Sequence, residues 1–161
     1  MARNRPSTQV IFVHCAATKR HQDVGITTID GWHRDRGIFS PRGPSGYHLV
    51  IRRSGVVELG RDLPSLGAHV LGYNDESIGI CLVGGINRDM EPEDNFEPAQ
   101  KVSLEAWLRA LLLVYPDALI APHYAVSTKA CPSFDVWAWQ RETFGHDDEL
   151  RFLKWNAERE R

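Results

Sequence analysis

The run VIFV, set between Gln9 and His14, constrains the fold more than any other stretch. It is too short for a stable helix, apolar at every position and rich in β-branched residues, which together specify a buried strand. SIGICLVGG (77–85) repeats the signature with Gly79 and Gly84 embedded in it, and ALIAPH (118–123) gives it a third time. The first and third strands each deliver a histidine at their C-terminal ends, His14 and His123. YHLVIRR and VVELGR flank the turn pair Ser54-Gly55 and read as a hairpin over residues 47–61.

Helices fill the intervals. TTIDGWHRDR (27–36) opens on a capping threonine and stops at Gly37, with Gly31 weakening its interior. Pro98 suits the first helical position, and Leu104, Leu108, Leu111 and Tyr115 recur on one face up to Pro116. VWAWQRETF begins a C-terminal helical extension. The expected fold is α/β (α+β), a mixed central β-sheet flanked by helices, lacking the glycine fingerprint of a nucleotide fold. The 161 residues are expected to form a single domain, with its core at about 9–140.

Composition narrows the function. A net charge of −2 and a pI near 6.4 argue against a nucleic-acid or anionic-membrane partner. VIFV is far too short for a signal-peptide core or a spanning helix, so the chain is expected to stay in the cytoplasm where it is made, as a monomer. Three cysteines, Cys15, Cys81 and Cys131, are too few and odd in number for a disulfide framework, which leaves reduced thiols.

The chemistry gathers in PHYAVSTKACPSF (122–134), where His123, Lys129 and Cys131 share one short polar segment. His14, His123 and Cys131 could supply the three donors of a catalytic zinc site if the two strand ends lie side by side. Alternatively, His123 activates Cys131 as a nucleophile, or both are ordinary packed residues. Tyr47 and His48 begin a strand, so alternation sends them to opposite faces and only one can face the site. Lys129 is either solvated or placed to stabilise an oxyanion. His69 is either a loop residue facing substrate or a solvated one. His21, His33 and His146 are given no role, and Cys81 is assigned to the core.

VIFVHCAAT, GYHLVIRRSGVVELGRD, GAHVLGYNDESIGICLVGG and KACPSFD, in this order, resemble the zinc amidases of the T-odd coliphage lysozyme type. These belong to the larger N-acetylmuramoyl-L-alanine amidase and peptidoglycan recognition protein family. The resemblance implies one Zn2+ in a surface groove, held by His14, His123 and Cys131. It implies catalytic roles for Tyr47 and Lys129, and a substrate contact for His69. Retention of Cys131, which many recognition proteins lose, favours an active enzyme.

The implied reaction is hydrolysis of the amide between N-acetylmuramic acid and L-alanine in peptidoglycan, the work of an endolysin. No wall-binding module is expected, and a separate protein would have to permeabilise the membrane. Arg52, Arg53 and Arg61 are candidates for holding the anionic stem peptide. A second expectation, of a different class, is binding and inhibition of a phage RNA polymerase through the N-terminal segment MARNRPSTQ. Two departures from the relatives stand out: a longer, proline-rich segment between Gly37 and Gly46, and Glu97 as a poor helix cap.

Overall fold

A computed structural model describes residues 4–38 and 46–159 of the chain. Most of the proline-rich segment therefore lies outside the described residues. The elements run β1 (Val10–Cys15), β2 (Thr18–Lys19), α1 (Ile26–Asp35), β3 (Leu49–Ile51), β4 (Val57–Leu59), β5 (Ser77–Leu82) and β6 (Gly85–Ile86). They continue with α2 (Pro98–Val114), β7 (Leu119–Pro122), a 3-10 turn (His123–Val126), α3 (Val136–Phe144) and α4 (Glu149–Arg159). The expected mixed sheet with flanking helices is what forms.

Five strands make the main sheet in the order β4-β3-β5-β1-β7, antiparallel only at the β3–β4 hairpin. Every residue of β1 and β5 is buried, as their unbroken apolar runs require of strands covered on both faces. Alternation sorts the two faces. Ile11, Val13, Ile78, Ile80 and Leu82 pack with Leu104, Leu108 and Leu111 of α2. Val10 and Phe12 instead meet Tyr73, Trp137 and Phe152, while Val50, Cys81 and Val83 meet Ile29 of α1. Each of those buried leucines contributes about 1.5–3 kcal/mol relative to exposure.

Two devices secure the ends of this sheet. Pro98 opens α2, and the weak cap at Glu97 is supported by Gln100, whose side-chain oxygen accepts from the Glu97 N–H at 3.0 Å. At the outer edge of β7, the Ile120 N–H donates to buried Asp148 at 3.0 Å, and the Trp137 indole donates to the Ile120 carbonyl at 3.0 Å. The edge strand is thereby closed by side chains instead of by another strand. Gln140 and Arg151 also donate to Asp148, at 2.9 and 2.7 Å, which ties α3 and α4 to the same carboxylate.

The three arginines expected to meet substrate are committed elsewhere. Arg53 is buried and donates to the Asn95 carbonyl and to Glu97, both at 2.7 Å. Arg61 is buried and donates to the Leu66 carbonyl at 2.8 Å. Arg52 pairs with Asp23 at 2.9 Å and Glu58 at 3.1 Å. Their positions around the hairpin make them fasteners of loops: buried Arg53 and Arg61 take acceptors that a desolvated guanidinium needs, and the more open Arg52 bridges two carboxylates.

Candidate active site

Register brings the two histidines together. Val13 of β1 pairs with Pro122 of β7, so the residues that follow them, His14 and His123, emerge side by side at the carboxyl ends of parallel strands. Their ring centroids are 4.6 Å apart. In open α/β sheets that end is where ligands bind.

Cys131 arrives on the loop after the 3-10 turn, which is tied back by the Tyr124 N–H donating to the Cys131 carbonyl at 2.8 Å. Its Sγ lies 3.9 Å from His14 Nδ1 and accepts from the Cys15 N–H at 3.2 Å. One ligand atom from each of His14, His123 and Cys131 falls within 4.8 Å of the others. Tetrahedral zinc with ordinary Zn–N and Zn–S bonds needs such atoms about 3.3–3.6 Å apart. The donor set and its spacing fit zinc after small side-chain adjustments.

Electrostatics favour neutral imidazoles here, the form that binds metal. Burial pushes His14 well below its ordinary value, aided by the neighbouring His69, His123, His33 and Lys129. His123 is lowered by burial and then by Lys129. The adjacent Cys15 thiol and burial push the Cys131 thiol up, and a cation at the site would reverse that preference.

These residues stand at one end of a cleft of about 410 Å³ whose lining includes Tyr47, His123, Lys129 and Cys131. Tyr47 is the member of the Tyr47–His48 pair that faces the site, with its ring 5.1 Å from that of His14. Burial raises its hydroxyl pKa well above the usual value, so it remains a hydrogen-bond donor. His48 turns the other way, accepting from the Gly79 N–H at 3.0 Å and contacting the Ser65 carbonyl at 2.9 Å. Lys129 is exposed on the rim.

His69 packs against the site histidine His14. It is not one of the residues lining the cleft and lies behind His14, with Nδ1 3.0 Å from His14 Nε2.

Helix α1 supplies the opposite wall. Ile29, Trp32, His33 and Arg36 all line the cleft. Their spacing of i, i+3, i+4 and i+7 is one helical face, a signal present in the sequence but not used for the site. His33 accepts from the Gly46 N–H at 2.7 Å and packs its ring 5.2 Å from Tyr47. Past Trp32 and Arg36 the cleft continues toward Lys19 and Met90.

Comparison with known proteins gives the chain's relatives. The chain is 48% identical to an endolysin of Enterobacteria phage K11 over 135 residues, covering 84% of this chain and 87% of the relative. It is 47% identical to the endolysin of Escherichia phage T7 over 137 residues, covering 85% and 88%. Among solved structures, the N-acetylmuramoyl-L-alanine amidase LysC of Clostridium intestinale superposes with a TM-score of 0.72 at 26% identity, covering 88% of this chain and 89% of that one. Drosophila PGRP-LB shares the fold, with a TM-score of 0.65 at 20% identity over 88% of this chain and 84% of that one. The family model for N-acetylmuramoyl-L-alanine amidase matches residues 3–134, and the chain belongs to that family.

Proposed function

We propose that the protein is an endolysin whose amidase activity depends on one zinc ion held by His14, His123 and Cys131. It cleaves the amide between the lactyl group of N-acetylmuramic acid and L-alanine of the peptidoglycan stem peptide. The carrying observation is a two-nitrogen, one-sulfur donor set, gathered within 4.8 Å at the end of a cleft large enough for a peptide segment. Held by these three residues, a zinc ion would supply Lewis acidity toward the scissile carbonyl and would lower the pKa of an attacking water toward neutrality.

The chain's own residues do the rest. Tyr47, whose ring lies 5.1 Å from that of His14 and whose hydroxyl burial keeps protonated, is the residue that would hydrogen-bond the attacked carbonyl oxygen as charge develops on it. Lys129, on the rim next to Cys131, adds positive charge toward the same oxyanion. Trp32 and Arg36 form the wall along which the anionic stem peptide lies. The protein is made in the cytoplasm and acts on the wall once the membrane is breached. Among the described residues no helix is long and apolar enough to cross a membrane.

Two other readings are weaker. A cysteine nucleophile would need an activated thiol, whereas Cys131 is pushed up by Cys15 and by burial. For polymerase binding through the N-terminal segment, Arg5 is spent inside the molecule, donating to Thr8 at 2.8 Å and to the Ser65 carbonyl at 2.9 Å.

Digestion of purified muropeptides tests the assignment. Release of free stem peptides beginning with L-alanine is expected, and cleavage of the sugar linkages instead would overturn it.

A further inference from the structure

We propose that His69 is a positioning residue that fixes which nitrogen His14 presents to the metal; this rests on the zinc reading above. Ser77, His69 and His14 form a row in which each contact needs one donor and one acceptor. The Ser77 hydroxyl donates to the Tyr73 carbonyl at 2.6 Å, so its lone pairs are what it can offer His69 Nε2, 3.5 Å away. His69 therefore carries its proton on Nε2 and presents a bare Nδ1 to His14 Nε2 at 3.0 Å. That contact is a hydrogen bond only if His14 carries its proton on Nε2. His14 Nδ1 is then left bare, on the side where Cys131 Sγ lies 3.9 Å away. The reverse polarity would put a proton on the ligating nitrogen and close the site to a cation.

The His69 ring is built in. A Cβ at Gly67 would come within 2.4 Å of His69 Cδ2, and one at Gly79 within 2.6 Å of its Cγ. Both positions lack a side chain where the ring needs the room. Asn74 anchors the backbone by accepting from the His69 N–H at 2.8 Å, and Phe12 meets the ring edge-on at 6.3 Å. Its direct polar contact with the proposed ligand set is through His14, so it acts on the metal site through that ring.

The test compares wild type with His69→Leu, which keeps bulk but loses the acceptor, and His69→Asn, whose side-chain oxygen can take the place of Nδ1. Zinc dissociation constants come from competition with a chromophoric chelator. Ring nitrogen-15 shifts of the zinc-free protein report the His14 tautomer. The expected result is a His14 proton on Nε2 in wild type, a loss of zinc affinity of about 10–100-fold in His69→Leu, and recovery of most of it in His69→Asn. KM of each zinc-saturated variant stays at the wild-type value. Equal zinc affinity in all three proteins, a raised KM at unchanged zinc affinity, or a wild-type His14 protonated on Nδ1 would each overturn the proposal. Should His69→Leu not fold, the wild-type tautomer and His69→Asn still decide. A wild type that binds no zinc, yet holds its proton on Nε2, would sink the zinc reading and leave the tautomer assignment standing.

Discussion

The backbone N–H of Cys15 points at Sγ of Cys131, 3.2 Å away, across two segments 116 residues apart in sequence. A hydrogen bond to sulfur favours the thiolate, the only form that ligates metal. Cys131→Ala should therefore abolish stoichiometric zinc binding, a larger loss than the about 10–100-fold that follows removal of an outer partner. The half-buried position of Cys131 should let the variant fold. Metal analysis with circular dichroism checks both points, and a folded variant that keeps its zinc would remove Cys131 from the site.

Lys129→Ala separates metal binding from turnover. Its ammonium sits on an exposed rim and holds no structural contact through its side chain among those described, so the fold and the zinc should persist. Loss of one charge aimed at the oxyanion should lower kcat by about 100-fold or more. Steady-state kinetics beside zinc content checks this, and lost metal with proportionate loss of activity would mean a structural role.

Substrate grip should follow Arg36 and not the hairpin arginines. Arg36→Ala removes a cation from the cleft wall and should raise KM about 5-fold at unchanged kcat, the scale of a solvent-exposed charge contact. Arg52→Ala, outside the cleft, should leave KM where it was. A raised KM in Arg52→Ala alone would restore the original expectation.

Much of this arrangement was legible in the sequence, and the parts that were not have physical reasons. His14 and His123 could be placed because VIFVH and LIAPH are apolar runs ending in a polar residue, which fixes both strand and end. Alternation implied that only one of Tyr47 and His48 could face the site, and the family resemblance pointed to Tyr47. The roles of Arg53 and Arg61 are not legible in the sequence, because their backbone acceptors on Val83, Asn95 and Leu66 are assembled only when the hairpin and its neighbouring loops close. The packing of His69 against His14 is not legible in the sequence, because nothing local shows that Gly67 and Gly79 make space for its ring. The two-residue partners β2 and β6 carry no periodicity to read.

Stability should hinge on Asp148. Its carboxylate is buried and serves the edge of β7 together with Gln140 and Arg151. Asp148→Ala strands the Ile120 N–H and the Gln140 amide and should cost about 3 kcal/mol, measured by urea unfolding. A loss below about 1 kcal/mol would show that water replaces the carboxylate.

Acid should weaken the zinc-free fold. Burial pushes His48 down from 6.5 to about 4, and His14, His33, His69 and His123 shift in the same direction. The unfolded chain then binds more protons in that interval, so the stability is fully present above the unfolded value and is lost as pH falls through the folded one. His48 alone contributes a loss of about 2 kcal/mol between pH 7 and pH 5. Urea unfolding at the two pH values in the presence of chelator measures it; equal stabilities would contradict buried neutral imidazoles.

Zinc content and chelation test the account most directly. Purified protein should contain about one zinc per chain, lose amidase activity on muropeptides when the metal is stripped, and regain it when zinc alone is restored. Full activity in protein stripped of metal would contradict the assignment of His14, His123 and Cys131 as ligands and return Cys131 to the role of nucleophile.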